Sequence, residues 1–476
     1  MASNAVLGPD EPLPPLCVDA DGALIRTSVL VEECLRLLRQ NVLHSFSIAA
    51  WALRGRRVLE AEVAQRVSLD PASVPINREV LELLEAAHQS GRYPVLCTRT
   101  DRAFAERLAQ HFGIFDEVIA DGRDRDATLP ARTELLVGRF GEHGFDYVCD
   151  ARACGSVARH ARETVLVPHV RGEPESARAS RLARAAGRLR PWLRALRLHQ
   201  WSKNLLLFVP AAMAHRIAEP ATAVTLLAAF VAFGLCASAT YLMNDLLDLD
   251  ADRAHPRKRH RPFASGELPV LHGLLVAAGA LLLGLLIAVR IGVLFTAILG
   301  CYVLITLWYS LRLKRMAMVD VLCLAGLYSI RVVAGGAAVA IMPSFWLLAF
   351  SMFLFLSLAI AKRYVELCGL QERGELAAAG RGYSVADLPL LLASGTNAGL
   401  LAVLVLALYI HEASQVHYSR PQVLWFVCPP LLYWISRVWL KTHRGQLHDD
   451  PVVFALRDRP SVLTGIGICA LVWAAV

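Results

Sequence analysis

The sequence predicts an α-helical integral membrane bundle preceded by a soluble α/β domain. Residues 204–476 hold repeated apolar stretches of about the length that a bilayer requires. Residues 1–170 instead alternate short apolar strands with helical periodicity. Because 55% of the 476 residues are hydrophobic and the mean hydropathy is +0.45, much of the chain must be buried in lipid rather than in a soluble core.

The first 170 residues are expected to form a parallel sheet with helices on both faces. Apolar runs of strand length begin with LCVDADGAL at position 16 and recur at 93–98, 145–150 and 164–168. In sheets of this kind, ligands bind beyond the carboxyl ends of the strands. Since Asp19 and Thr98 lie at two such ends, this edge of the sheet is a predicted ligand site.

Residues 171–203 form a predicted basic linker. Its arginines recur among Leu and Ala at roughly helical spacing, together with Trp192 and Trp201. A basic amphipathic helix with interfacial tryptophans is typical of a segment that lies on the membrane surface. A solvated linker helix is the alternative. The arginines are Arg178, Arg181, Arg184, Arg188, Arg190, Arg194 and Arg197.

The remainder, residues 204–476, is predicted to contain about nine transmembrane helices. Each apolar stretch is near the ~20 residues that cross a bilayer, although the first and last are short. The predicted spans lie near 204–216, 221–245, 268–289, 291–310, 318–340, 344–361, 388–410, 422–440 and 461–476.

The loops between these spans differ sharply in charge. The loops at 247–267, 311–319, 361–387 and 441–459 hold sixteen Lys and Arg residues, and the loops on the other side hold three. The positive-inside rule therefore predicts a multi-pass protein of the inner membrane with its soluble domain and basic loops in the cytoplasm. The net charge of +8 is assigned to anionic lipid headgroups, so no nucleic-acid partner is expected.

The predicted metal site is an Asp-rich segment at the end of the second span. On a helix, Asp245, Asp248 and Asp252 share one face. Three carboxylates held together repel one another unless a cation joins them, and their hard oxygens suit Mg²⁺, which usually also binds substrate phosphates. An ordinary charged loop is the alternative. The neighbouring polar residues assigned to substrate binding are Asn244, Lys258, Arg259 and Arg261.

A second charged cluster follows in the stretch YSLRLKRMAMVDVLCLAGLYSIRVVAGG. Here Arg331 lies well inside an apolar span, where a cation is costly and usually paired. We therefore expect Arg331 to form a site pair with Asp320 or to bind a substrate phosphate, and a structural salt bridge with Asp320 is the alternative. The candidate residues of this cluster are Tyr309, Lys314, Arg315, Asp320 and Arg331.

A third cluster, AKRYVEL, contributes Lys362, Arg363 and Glu366 at another span end. Long basic side chains at span ends often extend toward the interface, which would explain the basic pair but not Glu366. All three residues are therefore candidates for substrate binding, as is Lys203 at the end of the linker.

Residues 190–476 resemble the UbiA superfamily of intramembrane prenyltransferases, whose first Asp-rich motif is matched at 244–252. The stretches DRAHPRKRHRPFASG, YSLRLKR with its following Asp, AKRYVEL and DDPVVFALRDR are most similar to the decaprenyl-phosphate phosphoribosyltransferase branch. The aromatic prenyltransferases carry a second motif DxxxD, whereas Asp320 is followed here by Cys323 and Leu324. A lone Asp with a buried Arg fits a ligand that has more phosphate to hold.

The resemblance implies a Mg²⁺-dependent transferase that moves phosphoribose from phosphoribosyl diphosphate to a polyprenyl phosphate and releases diphosphate. Mg²⁺ on Asp245, Asp248 and, as a third ligand, Asp252 would neutralise the leaving group, and Asp320 belongs to the same catalytic set. The lipid phosphate would attack the anomeric carbon of the ribose beside fixed cations. A homo-oligomer is also compatible with the sequence.

In the soluble domain, VDADGAL resembles the DxDGT motif of the haloacid dehalogenase (HAD) superfamily, which has a Rossmann-type fold. The resemblance implies that Asp19 is a nucleophile and Asp21 a general acid. Thr98 matches the second motif of the superfamily, and Asp150 matches the fourth.

Three residues depart from the HAD pattern. Ala23 replaces the usual Thr, Arg132 takes the place of the motif Lys, and Cys154 replaces a second acidic residue. Two interpretations remain open. The domain is either a phosphatase that removes the 5-phosphate from the product or a degenerate regulatory or scaffolding domain.

Two other functions compete with phosphoribosyl transfer. One is UbiA-type transfer of a polyprenyl group from its diphosphate to an aromatic or other acceptor. The other is a transporter or binding protein for lipid phosphates. Metal-dependent release of diphosphate distinguishes both enzymes from the transporter, and the identity of the acceptor distinguishes the two enzymes.

Overall fold

A computed structural model describes residues 13–41, 43–98, 102–120, 132–150, 157–167, 189–256, 258–376, 381–412, 418–447 and 451–475. The chain divides into two compact units. The first, here the sheet unit, combines Met1–Leu196 with Tyr241–Val276, and the second, the helical unit, combines Arg197–Thr240 with Ala277–Val476. The Asp-rich segment at 244–252 therefore belongs to the same unit as the N-terminal residues. The domain boundaries predicted from the sequence, after residues 170 and 203, place that segment in the membrane domain instead. Arg178, Arg181, Arg184, Arg188 and Cys154 lie outside the described residues.

The sheet unit contains a five-stranded parallel sheet with the strand order β3-β2-β1-β4-β5. Its central strand β1 has four buried residues in a row, the pattern of a strand covered on both faces. Four strands agree with the sequence prediction, whereas β3 was not foreseen because its four residues are only half-buried. The strands are β1 Leu16–Asp19, β2 Pro94–Thr98, β3 Glu117–Ala120, β4 Asp146–Asp150 and β5 Glu163–Val167.

Helices connect the strands, and several of them bury an apolar face. In the helix that precedes β2, Val80, Leu84 and Ala87 recur every three or four residues and are buried. Three helices and the 3₁₀ turn Pro71–Ser73 lie between β1 and that helix. The helices are α1 Val29–Gln40, α2 His44–Leu53, α3 Arg56–Ala64, α4 Arg78–Gln89, α5 Arg102–Phe112, α6 Arg132–Phe140 and α7 Val157–His160.

The elements described from Leu198 onward are all helical. A 3₁₀ segment, Leu198–Phe208, precedes the first of these helices. They are α8 Val209–Met213, α9 Pro220–Leu247, α10 Leu249–Ala254, α11 Val270–Ile291, α12 Val293–Leu311, α13 Val319–Ala338, α14 Phe345–Gln371, α15 Leu388–Glu412, α16 Cys428–His443, α17 Pro451–Arg457 and α18 Arg459–Ala475.

Seven helical segments among the described residues are long and apolar enough to cross a membrane, rather than the nine expected. They include α9, α11, α12, α13 and α14 together with Val385–Glu412 and Pro421–His443. Outward-facing leucines such as Leu275 and Leu282 on α11 are 62% and 61% exposed, as lipid contact requires.

The prediction was wrong at its two shortest spans. The stretch 204–216 consists of 3₁₀ turns and the five-residue helix α8, and His215 has a positive φ of 57°. At the other end, the described part of α18 has 17 residues and is about 26 Å long, and it is not among the seven segments.

Candidate active site

The Asp-rich segment joins two helices. α9 ends at Leu247, Asp248 occupies the cap position, and α10 begins at Leu249. The segment is therefore not the single helix expected. The amide of Asp248 nevertheless donates to the carbonyl of Asn244 at 2.9 Å, and that of Asp252 donates to the carbonyl of Asp248 at 2.8 Å. Because these bonds continue across the join, the helical register is kept.

Asp245 and Asp252 are brought together by one arginine. Both carboxylates are buried, at 3% exposure each. Arg261 Nη1 donates to Asp245 Oδ1 at 3.0 Å and to Asp252 Oδ2 at 2.6 Å. Two buried carboxylates that share one cationic nitrogen form a site suited to positive charge.

This arrangement fits Mg²⁺ as a partial ligand set. Within the described residues, no group of three or more His, Cys, Asp or Glu side chains is placed to hold a metal ion. Mg²⁺ usually binds one or two carboxylates and completes its coordination with water and substrate phosphates. Asp245 and Asp252 therefore fit a metal ion that binds together with a diphosphate. Asp248 lies between them in the sequence and is half-buried at the helix join.

The basic residues after α10 differ in exposure. Lys258 and Arg259 are exposed on the short 3₁₀ turn Lys258–His260, where a phosphate group would have access to them. Arg261 is half-buried because it contacts the two aspartates. Asn244, in the last turn of α9, is also half-buried.

The second cluster centres on Asp320 at the start of α13. Asp320 is fully buried, and Arg363 Nε donates to its Oδ2 at 2.5 Å. The hydroxyl of Tyr383 donates to its Oδ1, also at 2.5 Å, and Arg381 Nη1 lies 3.9 Å from Oδ2. Burial and the hydrogen bond to Asp320 raise the pKa of Tyr383, which keeps this phenol a donor. Both oxygens of Asp320 are therefore engaged by protein donors.

Arg363 connects Asp320 with two further predicted residues. Its Nη2 donates to the hydroxyl of Tyr309 at 3.1 Å, and its Nη1 contacts Glu366. Arg381 Nε lies 3.1 Å from Glu366 Oε1. The structure thus unites residues that the sequence assigned to two separate clusters.

The expected pairing of Asp320 with Arg331 was wrong. Eleven residues separate them along the same helix, which corresponds to about 16 Å at 1.5 Å per residue. Arg363, from the neighbouring helix α14, is the arginine that pairs with Asp320. Sequence proximity favoured Arg331, but the contact is made between helices.

Arg331 instead lies in an aromatic and amide environment. Its Nε donates to Asn204 Oδ1 at 3.2 Å, its Nη2 donates to the Tyr302 hydroxyl at 3.0 Å, and its Nη1 contacts the Leu327 carbonyl. Arg331 is 4% exposed. Its guanidinium lies 4.9 to 5.6 Å from three ring centroids, those of Tyr302, Phe233 and Tyr328. Within the part of the chain that the structure describes, no carboxylate forms an ion pair with Arg331.

Two further features make the surroundings of Arg331 rich in donors. Lys203 is buried, and its Nζ lies 5.2 Å from the Tyr328 ring centroid. The amide nitrogen of Asn204 is buried and makes no hydrogen bond within the described residues. Gly335 permits the close approach of this 3₁₀ segment to α13, because a Cβ there would lie 2.0 Å from the Leu207 carbonyl oxygen.

The remaining predicted residues lie nearer the surface. Lys362 is exposed, while its neighbour Arg363 is 2% exposed, because successive helical residues point in different directions. Lys314 is half-buried and Arg315 is exposed on the 3₁₀ turn Leu313–Arg315.

Four contact residues were not found from the sequence. Tyr383 and Arg381 belong to a loop that was considered only for its positive charge. Asn204 follows Lys203 directly in the polar stretch WSKN, which was the available signal for it. Tyr302 lies within an apolar span, and nothing in its local sequence marks its contact with Arg331.

The carboxyl edge of the sheet gathers the five residues of the predicted HAD-like site. Asp19, Thr98 and Asp150 are buried at the ends of three adjacent strands. Thr98 Oγ1 lies 3.5 Å from Asp21 Oδ2, and Arg132 Nη1 lies 2.8 Å from Asp19 Oδ2.

Arg132 and Tyr147 both contact the carboxylate of Asp19. In addition to Arg132, the hydroxyl of Tyr147 donates to Asp19 Oδ2 at 3.4 Å and accepts from Arg132 Nη1 at 2.9 Å. Burial and the negative charge of Asp19 raise the pKa of Tyr147 above its ordinary range. This small network places a bulky guanidinium directly against the expected nucleophile.

Residues 205–457 match the UbiA prenyltransferase family, and the chain belongs to that family. Together with the seven apolar helices, this makes the protein an integral membrane transferase. The N-terminal region, which holds the parallel sheet, is compatible with a soluble α/β domain. Its assignment to the HAD superfamily stays a prediction.

Three relatives extend the comparison. The uncharacterized protein y4nM of Sinorhizobium fredii is 36% identical over 470 residues, which cover 96% of this chain and 90% of that protein. Nodulation protein NoeC of Azorhizobium caulinodans is 36% identical over 275 residues, covering 58% and 89% respectively. The decaprenyl-phosphate phosphoribosyltransferase of Mycobacterium tuberculosis is 31% identical over 299 residues, covering 60% and 93%.

Proposed function

We propose that this protein transfers phosphoribose from phosphoribosyl diphosphate to a polyprenyl phosphate and releases diphosphate. An oxygen of the lipid phosphate forms a bond to the anomeric carbon, and the bond from that carbon to the diphosphate breaks with its electron pair leaving on the diphosphate. The similarity to a decaprenyl-phosphate phosphoribosyltransferase supports this reaction. No nucleophile from the protein is needed.

The observation that carries the proposal is the buried environment of Arg331. An intramembrane cation is expensive and generally serves a functional partner. Because the described surroundings of Arg331 offer amide, phenol and carbonyl groups instead of a carboxylate, its positive charge is available for an anionic ligand. Lys203 and the buried amide nitrogen of Asn204 add donors to the same place. A lipid phosphate supplies the matching acceptors.

Asp320 supports the same choice of substrates. Its two oxygens accept from Arg363 and Tyr383. A carboxylate engaged in this way orients cationic groups more readily than it binds a second metal ion. The site therefore favours a reaction in which fixed cations hold several phosphates over one that needs two Asp-rich metal sites.

The Asp-rich segment is proposed to bind the donor. Asp245 and Asp252 would hold Mg²⁺ together with phosphate oxygens of the donor, and Asp248 is proposed to join this ligand set when the donor is bound. The metal would neutralise the charge that develops on the departing diphosphate. Lys258 and Arg259 would bind outer phosphate oxygens as exposed cations. Arg261 keeps the two buried carboxylates oriented toward one point.

An apolar cavity supports a lipid substrate. It measures about 470 Å³ and lies among helices α12, α13 and α14. Ile305, Ile330, Val333 and Met352 are among the residues that line it, and Leu327, whose carbonyl accepts from Arg331, is another. An isoprenoid chain has the chemistry to occupy such a surface.

For the N-terminal domain, residues 1–170, we propose a cytoplasmic position and no efficient phosphatase activity. The inner membrane and the cytoplasmic orientation rest on the loop charges. The lack of hydrolysis rests on the contact of Arg132 and Tyr147 with Asp19, because a planar guanidinium does not reproduce the point contact of an ammonium group.

The test is diphosphate release by the purified full-length protein. We expect release from phosphoribosyl diphosphate only when Mg²⁺ and polyprenyl phosphate are both present. Consumption of a polyprenyl diphosphate with an aromatic acceptor would instead support prenyl transfer. Binding of polyprenyl phosphate without diphosphate release from either donor would support a transporter or binding protein.

A further inference from the structure

Helix α1 contacts the Asp-rich segment through charged side chains, all within the sheet unit. We propose that α1 holds this segment in its donor-binding conformation, with Glu32 and Arg36 as positioning residues. The inference deepens the proposed function and rests on it for the kinetic part of its test. It gives the soluble part of the chain a role in transfer that requires no hydrolysis of its own.

The first contact is a buried, bidentate ion pair. Arg253 of α10 donates from Nη1 and Nη2 to the two carboxylate oxygens of Glu32, at 2.7 and 2.6 Å. The two side chains are 9% and 2% exposed. Ion pairs between planar groups fix direction as well as distance. Since Arg253 directly follows Asp252, the pair constrains the orientation of that carboxylate.

The second contact lies one helical turn further along α1. Arg36 Nη2 donates to Asp250 Oδ1 at 2.8 Å. The same guanidinium donates to the Ser68 carbonyl at 3.0 Å and to Ser73 Oγ at 3.1 Å. Arg36 therefore connects Asp250 to the residues before α4, because one guanidinium bonds to Ser68, Ser73 and Asp250.

The far end of the segment is also attached. Arg253 Nε donates to the Ala264 carbonyl at 3.3 Å. Gly266 has a φ of +74°, and a Cβ there would lie 2.9 Å from the Cβ of Arg26 and 3.3 Å from that of Pro75. The segment is thus bonded to α1 through Asp250 and Arg253, and at Gly266 it packs closely against residues that precede α4.

These contacts and the proposed metal site use different residues of α10. Asp250 and Arg253 face α1, while Asp252 faces Arg261. A short helix held on one side presents its remaining carboxylate on the other. Loss of the Glu32 contact should therefore alter metal and donor binding without removing any proposed ligand.

The test uses Glu32→Gln in the full-length protein, with Glu82→Gln as a matched control because Glu82 is an exposed carboxylate on α4. Two quantities are measured, namely hydrogen–deuterium exchange of residues 248–266 and the Mg²⁺ and donor dependence of transfer. We expect exchange in this segment to rise about tenfold while β1 and β4 keep their protection. The half-saturating Mg²⁺ concentration should rise roughly tenfold with a smaller change in kcat.

Each outcome decides the matter. Unchanged exchange and unchanged Mg²⁺ dependence in Glu32→Gln would overturn the inference. If exchange is faster in Glu32→Gln but the unsubstituted protein itself transfers no phosphoribose, the positioning contact stands and the proposed function is rejected. If Glu32→Gln loses protection throughout the sheet, the more exposed Asp250→Asn takes its place, and an unchanged segment in that variant would overturn the inference.

Discussion

Arg363 and Asp320 form an ion pair buried between α13 and α14, with 2.5 Å between Nε and Oδ2 and side-chain exposures of 3% and 0%. The hydroxyl of Tyr383 donates to Asp320, and the hydroxyl of Tyr309 accepts from Arg363. The pair therefore serves as the centre of a polar network inside an otherwise apolar bundle.

Removing one member of this pair should be far more damaging than removing both. Arg363→Leu leaves Asp320 buried without its main cation, and breaking a buried pair in this way costs about 3–5 kcal/mol. The double variant Arg363→Leu with Asp320→Leu should recover much of the thermal stability but none of the transfer activity. Thermal unfolding in detergent and a transfer assay measure the two effects. A double variant as unstable as the single one would contradict the account.

Loss of Asp248 should abolish transfer and leave the fold intact. Asp248→Ala removes a half-buried carboxylate from the helix join without breaking the ion pairs of Asp245 and Asp252. We expect transfer to fall by at least about 100-fold at saturating Mg²⁺, with an unchanged unfolding temperature. Glu375→Gln, an exposed charge elsewhere, is the control. Turnover like that of the native protein in Asp248→Ala would exclude this residue from the metal site.

Arg331 should affect the lipid acceptor rather than the ribose donor. Arg331→Met removes the buried charge but keeps a long apolar side chain among the three rings. Losing a charge-assisted contact of about 1.5–3 kcal/mol should raise KM for polyprenyl phosphate roughly tenfold or more. KM for phosphoribosyl diphosphate should change little. An equal rise in KM for polyprenyl phosphate and for phosphoribosyl diphosphate would contradict a lipid-binding role and show that Arg331 stabilises the fold instead.

The predicted HAD-like site around Asp19 should not hydrolyse phosphate esters efficiently. With Arg132 2.8 Å from its carboxylate, Asp19 is already engaged as an ion-pair partner. We expect the full-length protein and its Asp19→Asn variant to release inorganic phosphate from a 5-phosphorylated ribosyl lipid at the same negligible rate. Brisk release that disappears in the variant would establish a working phosphatase.

The sequence identified the elements of the fold better than the contacts between them. Hydrophobic length predicted seven of the spans, and it failed at 204–216 because composition does not reveal the 3₁₀ turns of that segment. Alternation of strands and helices predicted four strands of the sheet, whereas the short, half-buried β3 gave too weak a signal.

The candidate site shows the same limit. Asp245 and Asp252 were found because they repeat at helical spacing, and they do meet at Arg261. The pairing of Asp320 was missed because its partner lies on another helix, 43 positions later in the chain. The contact of Glu32 with Arg253 joins residues 221 positions apart and leaves no periodic trace in the sequence.

The most direct measurement follows the two halves of the donor separately. Phosphoribosyl diphosphate carrying ¹⁴C in the ribose and ³²P in the terminal phosphate of the diphosphate is incubated with the purified protein, Mg²⁺ and polyprenyl phosphate, and the lipid is then extracted. The account predicts that ¹⁴C moves to the lipid fraction while ³²P stays in the aqueous fraction, where it changes from donor to free diphosphate. When Mg²⁺ is chelated, both labels should stay in the aqueous fraction as unreacted donor. Absence of ¹⁴C from the lipid, in a preparation that binds polyprenyl phosphate, would contradict phosphoribosyl transfer.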